Sequence, residues 1–207
     1  MTESSLRVLV LFPHLLACCV ALGAILLSDV KFLLKRGVLN DQERAALHDL
    51  SRVACIALGF LWLTGLSIIA IDFGHFPSWA ELVAKPKLIA KLTVVSILSI
   101  NGYLLHRFVL PHFAQKTDLN QLAHRRIYLM LMLGALSGAS WVFAAFLGIA
   151  RPLTAILGYS GFMVTYLVIV LGATASATLF AKHIFIPSIP VKPVRQARSR
   201  KGQRAAA

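Results

Sequence analysis

Five apolar runs of bilayer length dominate the chain, at residues 6–27, 51–71, 88–110, 127–150 and 153–181. A hydrocarbon core about 30 Å thick needs about 20 helical residues at ~1.5 Å each. All five runs reach that length, and the segments between them are short. Backbone polar groups in lipid must be satisfied within the segment, so runs of this kind fold as helices. The sequence therefore predicts an all-α integral membrane protein with five transmembrane helices.

Composition agrees with that reading. Of 207 residues, 58% are hydrophobic and the mean hydropathy is +0.77, against about 45–50% apolar in a soluble domain. The runs and their connectors occupy residues 1–186, which read as one membrane domain. Residues 187–207 read as a basic, disordered cytoplasmic tail lying along anionic lipid headgroups.

The net charge of +13 carries no nucleic-acid signature, because the 21 Lys and Arg residues cluster at the ends of apolar runs and in the tail. Bilayer topology imposes that distribution. No nucleic-acid partner is expected. Lys31, Lys35, Arg36, Arg44 and Arg52 follow the first run, and Arg107, Lys116, Arg125 and Arg126 follow the third. The second run is followed only by Lys85 and Lys87, and the fourth only by Arg151. The alternation puts the N-terminus outside and the C-terminus inside. Short basic connectors of this kind fit a bacterial inner membrane.

The first run exceeds a signal-peptide core and no A-x-A site follows it, so it reads as a spanning helix. Cys18, Cys19 and Cys55 all lie within apolar runs, which argues against a disulfide framework.

Local signals refine the helices. Asn40 with Glu43 is a capping-box pair that starts the second helix ahead of its apolar run. Asp118 with Gln121 gives the fourth a similar prelude. Ser78 with Glu81 predicts a short interfacial helix carrying Trp79. Pro86 and Pro152 suit first turns. Pro13 removes a backbone donor beside His14.

Polar groups in a bilayer are costly and turn toward the bundle interior, so few residues are candidates for chemistry. His14 and Cys18 share a face of the first helix. Lys91, Val95, Ser99, Gly102 and His106 form a stripe on the third, with Asn101 to one side. Ser51, Cys55, Gly59 and Trp62 form another on the second. Gly134 and Gly138 make a GxxxG step in the fourth helix, a face through which a homo-oligomer is expected. The second small-residue stretch, residues 172–178, also suits close packing. Asp29 and Asp72 read as helix-end residues, so no carboxylate is expected within the membrane.

The histidines invite a haem test. His14 lies roughly 10 Å from the outer end and His106 roughly 27 Å from it, at ~1.5 Å per residue. Two imidazoles on one iron need nitrogens about 4 Å apart, so these two cannot ligate together. His106 has His48 or His124 near its own depth, and His14 would act alone. Lys91, Lys87 and Lys85, with His75 nearby, would receive an acidic group above His14, such as the propionates of haem b. The candidate site is therefore His14 and Lys91 in catalysis, and His14, Lys91, His106 and Lys87 in cofactor binding. His48, His112, His124 and His183 otherwise read as interfacial. No HExxH, CxxC, P-loop or GxGxxG pattern occurs.

The early His14 with the later Gly23, the step Lys87-Leu-Ile-Ala-Lys91-Leu92, and Asn101-Gly-Tyr-Leu-Leu-His106-Arg107 resemble a known group. They are similar to the small bacterial membrane proteins around the membrane-bound protoporphyrinogen oxidase and the copper-resistance D family. The resemblance covers the first three helices and implies a helical scaffold handling a tetrapyrrole or redox partner. The chain departs from it in having Asn101-Gly102 about ten residues after the lysine, where relatives carry a histidine, and Cys18-Cys19 in place of a Trp-rich stretch. A non-catalytic assembly component and a small-solute or metal-ion permease are the alternative functions.

Overall fold

A computed structural model describes the backbone of residues 3–34, 40–109 and 124–185, and the side-chain surroundings of 4–31, 40–109 and 128–179. The Asp118–Gln121 cap, His112 and the tail lie outside these residues, as do the side chains of His124 and His183. Among the described residues the protein is all-helical, with no strand. The elements are α1 (Glu3–Leu34), α2 (Asp41–Phe73), α3 (Trp79–Val83), α4 (Pro86–Leu104), α5 (His124–Ile149) and α6 (Thr154–Phe185). A π turn at Leu105–Val109 extends α4, and a 3-10 turn at Arg151–Leu153 leads into α6. All but α3 are long and apolar enough to cross a bilayer.

The expected starts of α2 and α3 are present. Asn40 Oδ1 accepts from the Glu43 backbone at 2.7 Å while Glu43 returns a bond to Asn40 N at 2.8 Å. Ser78 and Glu81 repeat the box on α3. Pro86 opens α4, where its missing N–H costs nothing. Pro152 falls in the 3-10 turn rather than in α6. Helix α1 continues through Pro13. Gly158 interrupts α6 with φ 56° and ψ −165°, a conformation open essentially to glycine alone.

Helices α1, α2, α4 and α5 surround a common interior, and α6 packs outside against α4 and α5. Ala21, Ala57, Leu98 and Trp141, one from each of the four, meet at its centre. Three of these are small or aliphatic, which lets the backbones approach around a single indole. A second core joins Ala90 and Val94 to Phe143, Leu147, Phe162 and Tyr166 where α6 packs. There Ser140 and Tyr166 hydroxyls pair at 2.7 Å, so neither is left unsatisfied in the apolar layer. Apolar side chains such as Phe12, Ile56, Leu63 and Val164 point outward, as lipid-facing residues do. The association with a lipid bilayer follows from this architecture.

Arg7 at the start of α1 donates to Asp72 at the end of α2, 2.6 Å away. That pair ties the outer ends of the two helices. Lys87 Nζ donates to the carbonyl of Gly148 at 3.2 Å, satisfying an end carbonyl of α5.

Candidate functional site

Two polar stripes legible in the sequence, one on α2 and one on α4, face each other. Trp62 Nε1 donates to Ser99 Oγ at 2.9 Å, and Ser99 in turn donates to Val95 O at 2.8 Å. Lower down, His106 Nε2 lies 3.2 Å from Ser51 Oγ and 3.6 Å from Cys55 Sγ. His106 Nδ1 stands 3.1 Å from Gly102 O. A carbonyl only accepts, so Nδ1 carries the proton and Nε2 accepts from Ser51. Nδ1 is thus tied to the helix's own backbone, and Nε2 holds α4 to α2 through Ser51.

His14 is different. Its ring is 9% exposed, and Nδ1 lies 2.7 Å from Thr64 Oγ1 on α2. The Thr64 hydroxyl donates to Phe60 O at 2.8 Å. The imidazole must therefore donate to Thr64, which fixes the Nδ1–H tautomer and leaves Nε2 as a lone pair. Nε2 has no hydrogen-bond partner among the described residues. It is not sealed off either, since the enclosed side-chain atom lacking a partner among them is Asn101 Oδ1. The absence of a Cβ at Gly65 also matters, because a methyl there would stand 3.5 Å from His14 Cε1.

Lys91 reaches into the same region from α4, and its charge acts on both His14 and Cys18. It has no ion-pair or hydrogen-bond partner among the described residues. Lys91 is therefore within electrostatic range of His14 and Cys18, from a helix whose placement beside α1 no sequence pattern encodes. The other proposed contributors are turned elsewhere. Lys87 caps α5, Lys85 sits 3.7 Å above the Phe73 ring, and His75 lies 3.2 Å from Glu81. His106 is at the far end of the seam. Thr64, which anchors His14 to α2, and Ser51, which holds His106, are 13 residues apart on that helix, roughly 20 Å at ~1.5 Å each.

A cavity of about 540 Å³ opens at that far end, the end bearing the basic connectors. Asp29 of α1, Cys55 of α2, His106, and Ser137 and Trp141 of α5 line it. Asp29 lies in the last turns of α1, near the helix end as expected. Helix α1 runs on to Leu34, and Asp29 turns inward against α5, where its Oδ2 is 2.8 Å from the position of a Cβ on Gly138. Gly134 lines the same cavity. The GxxxG face expected to join two copies is thus occupied inside the chain, where glycine makes room for a carboxylate.

His48 and His106, suggested as neighbours, do line one cavity. Among the described residues, however, no three His, Cys, Asp or Glu side chains are grouped to hold a metal ion. Sequence reasoning missed Thr64, and it placed Asn101 beside the α4 stripe without its partner. Asn101 is 1% exposed and its Nδ2 donates to Leu133 O at 3.0 Å, linking α4 to α5. A polar residue in each apolar run was the available signal. Compared with protein-family models, curated proteins and solved structures, the chain matches none.

Proposed function

We propose that this multi-pass membrane protein binds a tetrapyrrole, with its site in the outer half of α1 and α4 and His14 as the residue that would hold it. The observation that carries this reading is the fixed tautomer of His14. Metal-bound imidazoles donate their other N–H to a fixed acceptor, which orients the ring and raises its basicity. Thr64 is such an acceptor, and Nε2 is left with its lone pair unshared. Lys91 supplies an unpaired cation beside it, suited to a propionate. Thus the donor set fits haem b. Haem, when bound, supplies one-electron redox chemistry. The chain's part is to hold the imidazole in one tautomer, to neutralise an acidic substituent and to keep the region largely dry. The resemblance of residues 87–92 and 101–107 to the protoporphyrinogen-oxidase and copper-resistance D group points the same way, as do short basic connectors for a bacterial inner membrane.

The test is the absorption spectrum of detergent-purified protein, oxidised and dithionite-reduced, before and after adding haem. A Soret band that shifts on reduction in wild type and is absent in His14→Ala supports the reading. No band in wild type after haem addition refutes it.

A small-solute permease is the second reading. Its support is Asp29, a half-buried carboxylate near the inner end of α1 that lines a cavity open at one end.

A further inference from the structure

We propose that the cavity between α1, α2, α4 and α5 is a binding site for a small organic cation with an apolar body, and that Asp29 is its counter-ion. The inference names a ligand class for the permease reading and rests on that reading only for the cavity's purpose. It is independent of His14.

Charge is the first argument. The chain carries 21 Lys and Arg residues against 8 Asp and Glu. Among the described residues that line this cavity the balance inverts: Asp29, Asp41 and Asp49 stand there with Arg44. Arg44 is already bonded to Asp41 at 2.7 Å. Asp49 lies at the mouth with the His48 ring 4.0 Å away. Asp29 has neither an ion-pair nor a hydrogen-bond partner among the described residues. An acidic group on an apolar wall favours a cation over an anion of the same shape.

Depth is the second. Asp29 is 15 residues beyond His14 on α1, roughly 22 Å along a helix at ~1.5 Å per residue, and is half-buried against α5. Leaving a half-buried carboxylate without a partner is costly. A bound cation offsets that cost, and the low dielectric strengthens the pairing.

Shape is the third. At about 540 Å³ the cavity falls in the range of roughly 300–1,000 Å³ typical of small-molecule sites. Its walls are largely aliphatic, including Ile25, Leu58 and Leu98, and Trp141 adds an aromatic ring. An indole face attracts a cation within about 6 Å of its centroid. A bare inorganic ion would gain nothing from such walls, and among the described residues no three-ligand group is present to hold one.

The experiment is equilibrium binding of tetraphenylphosphonium to the full chain in detergent, with tetraphenylborate, an anion of the same shape, as competitor. Saturable one-to-one binding is expected, weakened at least tenfold in Asp29→Asn and not displaced by equimolar tetraphenylborate. Gly138→Ala is the second variant. It keeps the carboxylate but puts a methyl 2.8 Å from its Oδ2, and should also weaken binding severalfold. Absence of saturable binding in wild type overturns the proposal, as does equal competition by the anion or unchanged affinity in a well-folded Asp29→Asn protein. If Asp29→Asn does not fold, the wild-type competition and Gly138→Ala decide. Asp29-dependent binding without flux of the cation into proteoliposomes keeps the site and refutes the permease.

Discussion

The imidazole of His14 on α1 donates to the hydroxyl of Thr64 on α2 across 2.7 Å, and that hydroxyl is itself committed to the carbonyl of Phe60. The chain of donors runs in one direction, so the outer half of the bundle holds a histidine in a single protonation pattern. Helix α1 is thereby fixed in rotation on α2, with Cys18 one turn along the same face and Lys91 opposite.

Thr64→Val keeps the shape of the side chain and removes the acceptor. The His14 Nδ1–H then loses its partner in a buried setting, which costs about 1–3 kcal/mol. Thermal unfolding should show the loss, while Thr64→Ser should stay near wild type. Nitrogen-15 spectra of labelled histidine should show His14 as the Nδ1–H tautomer in wild type and lose that uniform state in Thr64→Val.

Trp62 and Ser99 provide a test of the seam between α2 and α4. Hydrogen bonds between membrane helices average about 0.6 kcal/mol by double-mutant cycles, with a maximum near 1.7. The coupling between Trp62→Phe and Ser99→Ala should fall in that range. A coupling of zero would mean that the indole and the hydroxyl do not meet.

Much of this arrangement was legible in the sequence. The five spans came from apolar run length, and the caps at Asn40 and Ser78 from residue chemistry at fixed offsets. The stripes of α2 and α4 came from helical period. Each of these depends only on residues near one another along the chain. Which stripe faces which depends on helix order, so the approach of His14 to Lys91 and the engagement of His106 by Ser51 were out of reach. The inward turn of Asp29 toward α5 was out of reach, because it too depends on which helices are neighbours. The glycines at 134 and 138 have one sequence signature for two uses, packing against another helix and admitting a side chain. Thr64 looked like any hydroxyl in an apolar run, and only its partner gives it a role.

Glu81 makes the outer loop sensitive to acid. Hydrogen bonds from the Ser78 side chain and then from its backbone N–H hold the Glu81 carboxyl below the ordinary 4.5. Its contribution to the α3 cap is therefore fully present above about pH 4.5 and is lost as pH falls through the lower folded value. The Ser78 amide proton, whose nitrogen is 2.7 Å from Glu81 Oε2, should report this titration with a midpoint under 4.5. A midpoint at or above 4.5 would show that the cap does not stabilise the ionised form. Glu81→Gln should abolish the transition.

Gly158→Ala should destabilise the protein by about 1–3 kcal/mol, because φ of 56° with ψ of −165° is forbidden to residues with a Cβ. No neighbour lies within 4 Å of the added methyl, so the effect is one of backbone strain. Melting temperature in detergent measures it. Gly172→Ala, in a regular part of the same helix with equally open space, is the control and should be neutral or slightly stabilising.

The most direct measurement is a haem titration of purified wild type, His14→Ala and Lys91→Met, followed at the Soret band. The account predicts saturation at one haem per chain in wild type, no saturable band in His14→Ala, and binding weakened about tenfold in Lys91→Met, the loss of one ion pair at ~1.4 kcal/mol. Equal saturable binding by all three proteins, or none by wild type, would contradict the assignment of His14 and Lys91 to a tetrapyrrole site.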